Sequence, residues 1–140
     1  MAGYSGTPLI KKLGIKDGMS VLALNSPVPY EKLLGGLPES AVLKKQLRGK
    51  LDFIHLFARS QSELKKLFPK MKSSIVENGA IWISWPKRTS GVETDVTETL
   101  VREIGLKAGL VDVKVCAVDE TWSGLKFVFR LKDRGRKTAS

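Results

Sequence analysis

Three consecutive segments decide the fold: Leu51-Asp52-Phe53-Ile54-His55-Leu56-Phe57-Ala58, then Ser60-Gln61-Ser62-Glu63, then Ala80-Ile81-Trp82-Ile83-Ser84-Trp85. The outer two are short, nearly continuous apolar runs, the pattern of strands buried on both faces. The middle one is a hydroxyl followed three residues later by a carboxylate, a capping box that opens a helix. Leu64, Leu67, Phe68, Met71 and Ile75 follow at helical spacing. Pro69 predicts a kink or restart, and Asn78-Gly79 predicts the helix end. Buried strand, amphipathic helix and buried strand in succession imply a parallel sheet covered by helices.

Working toward the N-terminus, Val21-Leu22-Ala23-Leu24 is another apolar run, reached through the turn Asp17-Gly18. A short helix precedes it, with Thr7 as cap, Pro8 in the first turn, Leu9, Ile10 and Leu13 inward, and Gly14 at the stop. Ser26-Pro27-Val28-Pro29 breaks the first strand, a short helix covers 30–34, and 41–47 is an ambiguous second strand. Toward the C-terminus, 86–93 is the longest irregular segment. Asp95-x-x-Glu98 is a second capping box, opening a helix with Leu100, Val101, Ile104 and Ala108 inward and Gly109 closing it. Val111, Val113, Val115 and Ala117, then Leu125, Phe127, Phe129 and Leu131, alternate with other residues on either side of 120–124, an antiparallel hairpin. The expected fold is α/β and Rossmann-like. It has a mostly parallel sheet of about six strands, helices on both faces and a C-terminal antiparallel hairpin. Residues 1–133 make one domain and 134–140 a basic, frayed tail.

Hydrophobic residues make up 42% and charged residues 27%, as in ordinary globular proteins rather than disordered ones. No apolar run reaches the roughly 18–20 residues that span a bilayer. Residues 1–6 lack the basic and apolar regions of a secretory signal, and a lone Cys116 excludes an internal disulfide, so the expected location is cytoplasmic. Lys and Arg number 24 against 14 Asp and Glu, a net charge of +10 that favours anionic partners. The cations are dispersed along the chain, as on solvated faces.

The lead-in Lys12-Leu13-Gly14-Ile15-x-x-Gly18, the strand start Asp52-Phe53-Ile54 and the segment Glu77-Asn78-Gly79-Ala80-Ile81-Trp82-Ile83 resemble elements of the class I S-adenosylmethionine-dependent methyltransferases. That resemblance implies a Rossmann-like sheet ending in a β-hairpin, here with one strand–helix unit of the usual seven-stranded sheet missing. It also implies a glycine-rich cofactor loop after the first strand. This chain has Asn25-Ser26-Pro27-Val28-Pro29-Tyr30 there, without glycine, and prolines fix φ and lack an N–H. No carboxylate plainly ends the second candidate strand to hold a ribose. Three further segments, Gly3-Tyr4-Ser5-Gly6-Thr7-Pro8-Leu9, Ile83-Ser84-Trp85-Pro86-Lys87 with Ser90-Gly91, and Asp119-Glu120-Thr121-Trp122-Ser123-Gly124-Leu125, resemble a bacterial family of unknown function.

Ligands of open α/β sheets bind beyond the carboxyl ends of the parallel strands. That edge collects Asn25, Ser26, Arg59, Ser60, Lys87, Arg88, Thr89, Ser90, Glu120 and Trp122, the candidate ligand-binding residues. The first segment, 3–9, would fold over it. Helix N-termini at Ser60 and Asp95, with Arg59, Lys87 and Arg88, suit an anion; equally, Ser60 and Asp95 serve only as caps. Trp122 either stacks on a planar ligand or covers the core under the hairpin. Asp119 and Glu120 lack a partner for acid–base work. His55 reads as a satisfied interior histidine, and Cys116 as a small, partly buried hydrophobe. No metal-ligand cluster, nucleophile elbow or phosphate-cradling motif is present.

The leading reading is therefore a non-catalytic, methyltransferase-like module that binds an anionic small molecule or a protein partner and no membrane. It expects no cofactor, with S-adenosylmethionine disfavoured by Pro27 and Pro29. The alternatives are an S-adenosylmethionine-dependent methyltransferase with an atypical cofactor loop, and charge-driven nucleic-acid binding.

Overall fold

The computed structural model describes residues 8–133. The Thr7 cap, most of the 3–9 segment and the 134–140 tail lie outside them. Chain order is α1 (Leu9–Leu13), β1 (Ser20–Leu24), α2 (Tyr30–Leu34), β2 (Val42–Leu43), β3 (Leu51–Phe57), α3 (Gln61–Ser74), β4 (Ile75–Pro86), α4 (Glu98–Lys107), β5 (Leu110–Ala117) and β6 (Trp122–Phe129). They build one six-stranded sheet in the order β2-β1-β3-β4-β6-β5. β1 pairs in parallel with β2 and β3, and β3 with β4. β6 runs antiparallel between β4 and β5. The expected α/β, Rossmann-like sheet with a C-terminal hairpin is what forms. The chain steps outward from β1 to β2 and returns on the other side of β1 as β3. The order therefore reverses at β1.

Successive residues of the buried strands feed opposite faces. On one face Leu22, Ile54, Leu56, Ile81, Ile83, Leu125 and Phe127 pack against Leu64, Phe68 and Met71 of α3 and Val101 of α4. On the other, Val21, Phe53, Phe57, Trp82 and Trp122 pack against Leu13 and Tyr30. Trp82 Nε1 donates to the Leu13 carbonyl at 2.9 Å, tying the end of α1 to the sheet. Gly14 closes α1 in the left-handed region, as its position predicts.

Several boundaries differ from the sequence expectation. α3 ends at Ser74, not at Asn78-Gly79, and β4 starts at the next residue. Leu51 pairs with Ile75 and Phe53 with Ala80, so five residues of β4 span two of β3 and bulge outward. Gly79 serves that bulge: a Cβ there would lie 2.8 Å from the Asp52 carbonyl oxygen. α3 runs through Pro69 without a restart. The second strand shrinks from 41–47 to Val42–Leu43, because 44–50 is needed as the return path to β3. β6 starts at Trp122, inside the expected turn, and ends at Phe129; Leu131 belongs to a 3-10 turn and is 79% exposed. In β5 a register shift between Asp112 and Lys114 breaks the alternation and leaves Val113 and Val115 outward.

Candidate functional site

The carboxyl ends of β1, β3 and β4 and the β5–β6 turn share one edge, as the topology requires. Their loops hold one another: Lys87 N–H donates to the Thr121 carbonyl at 2.8 Å, and Thr94 Oγ1 donates to the Arg59 carbonyl at 2.6 Å. The Arg59 guanidinium sits 4.9 Å from the Trp122 ring centroid. Trp122 is 3% exposed and meets Phe57 edge-to-face at 5.2 Å, so it roofs the core under the hairpin. Asp119 Oδ1 accepts from the N–H groups of Thr121 and Trp122, which shapes the turn and leaves Glu120 outward. Ser90 Oγ donates to the Lys87 carbonyl and accepts from Val92 N–H within its own turn, while Arg88 and Thr89 are exposed.

The helix N-termini are organised differently from the capping-box reading. Ser60 Oγ accepts from Glu63 N–H at 3.2 Å, as expected. The Glu63 carboxylate, though, accepts from Asn25 Nδ2 at 2.7 Å, which ties α3 to the end of β1. Asp95 does not open α4. That helix starts at Glu98, with Thr97 Oγ1 accepting from Leu100 N–H. The Asp95 carboxylate instead accepts from Gln61 N–H at 2.8 Å, and Gln61 Nε2 donates to the Asp95 carbonyl. A side-chain anion thus already occupies a donor at the start of α3.

Beside β1, where strand order reverses, a cleft of about 370 Å³ opens between Ala23, the 26–30 loop, Leu43 and Lys44. Its size falls within the range of about 300–1,000 Å³ usual for small-molecule sites. Asn25 has φ 59°, so the left-handed turn that a glycine would make after the strand is made by an asparagine. Ser26 Oγ donates to the Val28 carbonyl at 2.5 Å and fixes the loop between its two prolines. Lys44, not a carboxylate, stands at the end of β2. Ser26 lines this cleft, whereas Asn25, bonded to Glu63, is not one of its lining residues. Lys87 and Arg88 line a separate cavity of about 620 Å³ beside the start of α4, together with Glu93 and Glu98. The ten candidate residues share an edge but not a pocket.

Beneath the cleft runs a buried polar chain that sequence reading found only in part. Tyr30 Oη and His55 Nδ1 are 2.6 Å apart, and His55 Nε2 and Ser84 Oγ 2.7 Å. His55 is fully buried and stacked on Phe57 with centroids 4.2 Å apart. Burial pushes its imidazole down to about 3 and the Tyr30 phenol well up, so both stay neutral near pH 7. The interior reading of His55 holds. Burial likewise raises the Cys116 thiol, which packs against the second core cluster. Among the described residues there is no cluster of metal-binding side chains, and no helix is long and apolar enough to cross a membrane.

The sheet order, the terminal hairpin and the cleft beside β1 point to one architecture. The fold is that of the S-adenosylmethionine-dependent methyltransferases. The chain superposes on precorrin-6y C5,15-methyltransferase from Geobacter metallireducens with a TM-score of 0.61 at 10% identity, over 87% of this chain and 86% of that one. A SAM-dependent methyltransferase from Aquifex aeolicus gives 0.61 at 19% identity, over 85% and 86%. Magnesium protoporphyrin IX methyltransferase from Synechocystis with bound SAH gives 0.59 at 12%, over 87% and 78%. The sequence matches no protein-family model, and no curated protein matches it. Likeness at this identity shows the fold. The expectation of no cofactor is contradicted: proteins of this fold are found with SAH or SAM bound. The sequence argument rested on the missing glycines and on Pro27 and Pro29; in the structure Asn25, at φ 59°, makes a left-handed turn after β1 without glycine.

Proposed function

We propose that the chain is an S-adenosylmethionine-dependent methyltransferase with an atypical cofactor loop, and that the cleft beside β1 is its cofactor site. The observation that carries this reading is a ligand-sized cleft at the carboxyl end of β1, where strand order reverses. Bound there, the cofactor supplies an electrophilic methyl group on a sulfonium. The chain's own contribution is placement. Asn25 turns the backbone away from the strand, held by Glu63. Pro27 and Pro29 stiffen the loop, so little of its freedom is lost on binding. Val28, 43% exposed, offers an apolar wall, and Lys44 a donor where the resembled family has an acceptor. The segments at 83–91 and 119–125, which resemble one bacterial family, border the same edge and are proposed to serve the methyl acceptor.

Calorimetric titration with S-adenosylmethionine and S-adenosylhomocysteine, alongside melting curves, tests this. A ligand at 100 times its Kd stabilises by about 2.7 kcal/mol, a shift of several degrees in a domain of this size. Val28→Trp, which fills the cleft from an exposed loop position, should abolish the heat and leave the unliganded melting point in place. No heat and no shift with either ligand would overturn the proposal, as would binding that Val28→Trp leaves intact.

A further inference from the structure

The return path from β2 to β3 carries cations that, Lys44 apart, the proposed cofactor cleft does not use. Where a helix would ordinarily cover such a crossover, this chain has only Lys44-Lys45-Gln46-Leu47-Arg48-Gly49-Lys50. Leu47 is the anchor, packed against the core. Gly49, at φ 84°, turns the segment, and Lys44 N–H donates to the Val21 carbonyl at 2.7 Å. Pinned in this way, the segment walls a groove of about 480 Å³ against Ser20 and Leu51, with Lys44, Lys45, Arg48 and Lys50 along it. All four cations are exposed, and among the described residues none makes an ion pair. The neighbouring acid, Asp52, has its carboxylate occupied by Ser20 N–H at 2.8 Å.

We propose that this groove binds the phosphate backbone of a nucleic acid. Four exposed cations without ion pairs on one core-anchored segment exceed the two or three donors that a single small anion needs, and suit several phosphates at once. No aromatic side chain lines the groove, so it lacks the stacking platforms that single-strand binders use. Nor does a helix or β-ribbon project from it to read base edges. The groove therefore grips a duplex by its backbone, without sequence preference. It stands independently of the methyl-transfer reading, although Lys44 borders both the groove and the cofactor cleft.

The probe is a fluorescein-labelled 20-base-pair DNA duplex, followed by anisotropy from 50 to 200 mM KCl. Four phosphate contacts correspond to a log–log salt slope of about −3.6 and roughly a 100-fold loss of affinity over that range. Lys45→Ala/Arg48→Ala/Lys50→Ala should flatten the slope by about 2.7 and weaken binding at 50 mM KCl. The control Lys65→Ala/Lys66→Ala/Lys70→Ala removes the same charge from exposed positions on α3 and should leave the slope close to that of the parent. Unchanged melting curves certify that both variants fold. Equal losses in the two variants would reduce the effect to net charge and overturn the proposal. So would no binding to the duplex at 50 mM KCl, or groove-dependent binding to phosphatidylserine vesicles with none to the duplex.

Discussion

With Tyr30 Oη at 2.6 Å on one ring nitrogen, Ser84 Oγ at 2.7 Å on the other and Phe57 stacked on its face, the His55 imidazole folds neutral. Its folded-state value of about 3 lies below the ordinary 6.5, and burial is the cause. Above pH 6.5 neither the folded nor the unfolded chain protonates it, and stability is untouched. Between 6.5 and about 3 only the unfolded chain takes up the proton, so stability falls as pH falls, by about 1.4 kcal/mol per pH unit from this group. Urea unfolding at pH 6, 5 and 4 checks this. His55→Gln should unfold more easily at pH 7 yet show a slope shallower by about 1.4 kcal/mol per unit. Equal slopes would place His55 in contact with solvent. The apolar neighbours Phe53, Ile54, Leu56 and Phe57 made the interior position legible. The partners were not, since nothing local in the sequence links residue 55 to 30 or 84.

At the scale of elements, caps and close packing decide where α3 and α4 sit. Thr97→Ala removes the acceptor for Leu100 N–H and should cost about 1 kcal/mol, within the usual 0.5–2 for a cap. Asp95→Ala should cost a similar ~1 kcal/mol for a different reason: it strips Gln61 N–H at the start of α3. Denaturant melts of the single and double variants should add, because the two groups cap different helices. Strong coupling would instead support the capping box that the sequence suggested. Asp95-x-x-Glu98 misled because pattern alone cannot say whose donor a carboxylate faces. Gly105 is a second case that sequence could not show. Alanine there gains up to about 1 kcal/mol of helix propensity, but its Cβ would lie 2.1 Å from Cε1 of the buried Phe127. Overpacking of this kind costs typically about 1–3 kcal/mol, so Gly105→Ala should lower the melting point.

For the molecule as a whole, the strongly buried strands β1, β3 and β4 were legible because continuous apolar runs have few other uses. β2 was legible only as an ambiguous stretch over 41–47, because two residues leave no periodicity to fix its bounds. That short strand has a physical consequence. The center of the sheet, Ile54, Leu56, Ile81 and Ile83, is fully or almost fully buried, whereas Val42 at the edge is 49% exposed. β2 is held by Val42 N–H to the Met19 carbonyl at 2.9 Å and Lys44 N–H to the Val21 carbonyl at 2.7 Å. Few buried contacts and exposed backbone bonds are the marks of a segment that opens locally. Native-state hydrogen exchange should therefore show the Val42 and Lys44 amides opening well below the global unfolding free energy, with the β3 and β4 amides close to it. The proposed cofactor site lies against this weak edge, since Leu43 and Lys44 form one wall of the cleft. A ligand bridging β1 and β2 must suppress the opening that separates them. S-adenosylhomocysteine should thus slow exchange at Val42 and Lys44 by more than the global stabilisation accounts for, because it ties down local as well as global openings. Protection that rises equally across the sheet would place the ligand elsewhere on the molecule.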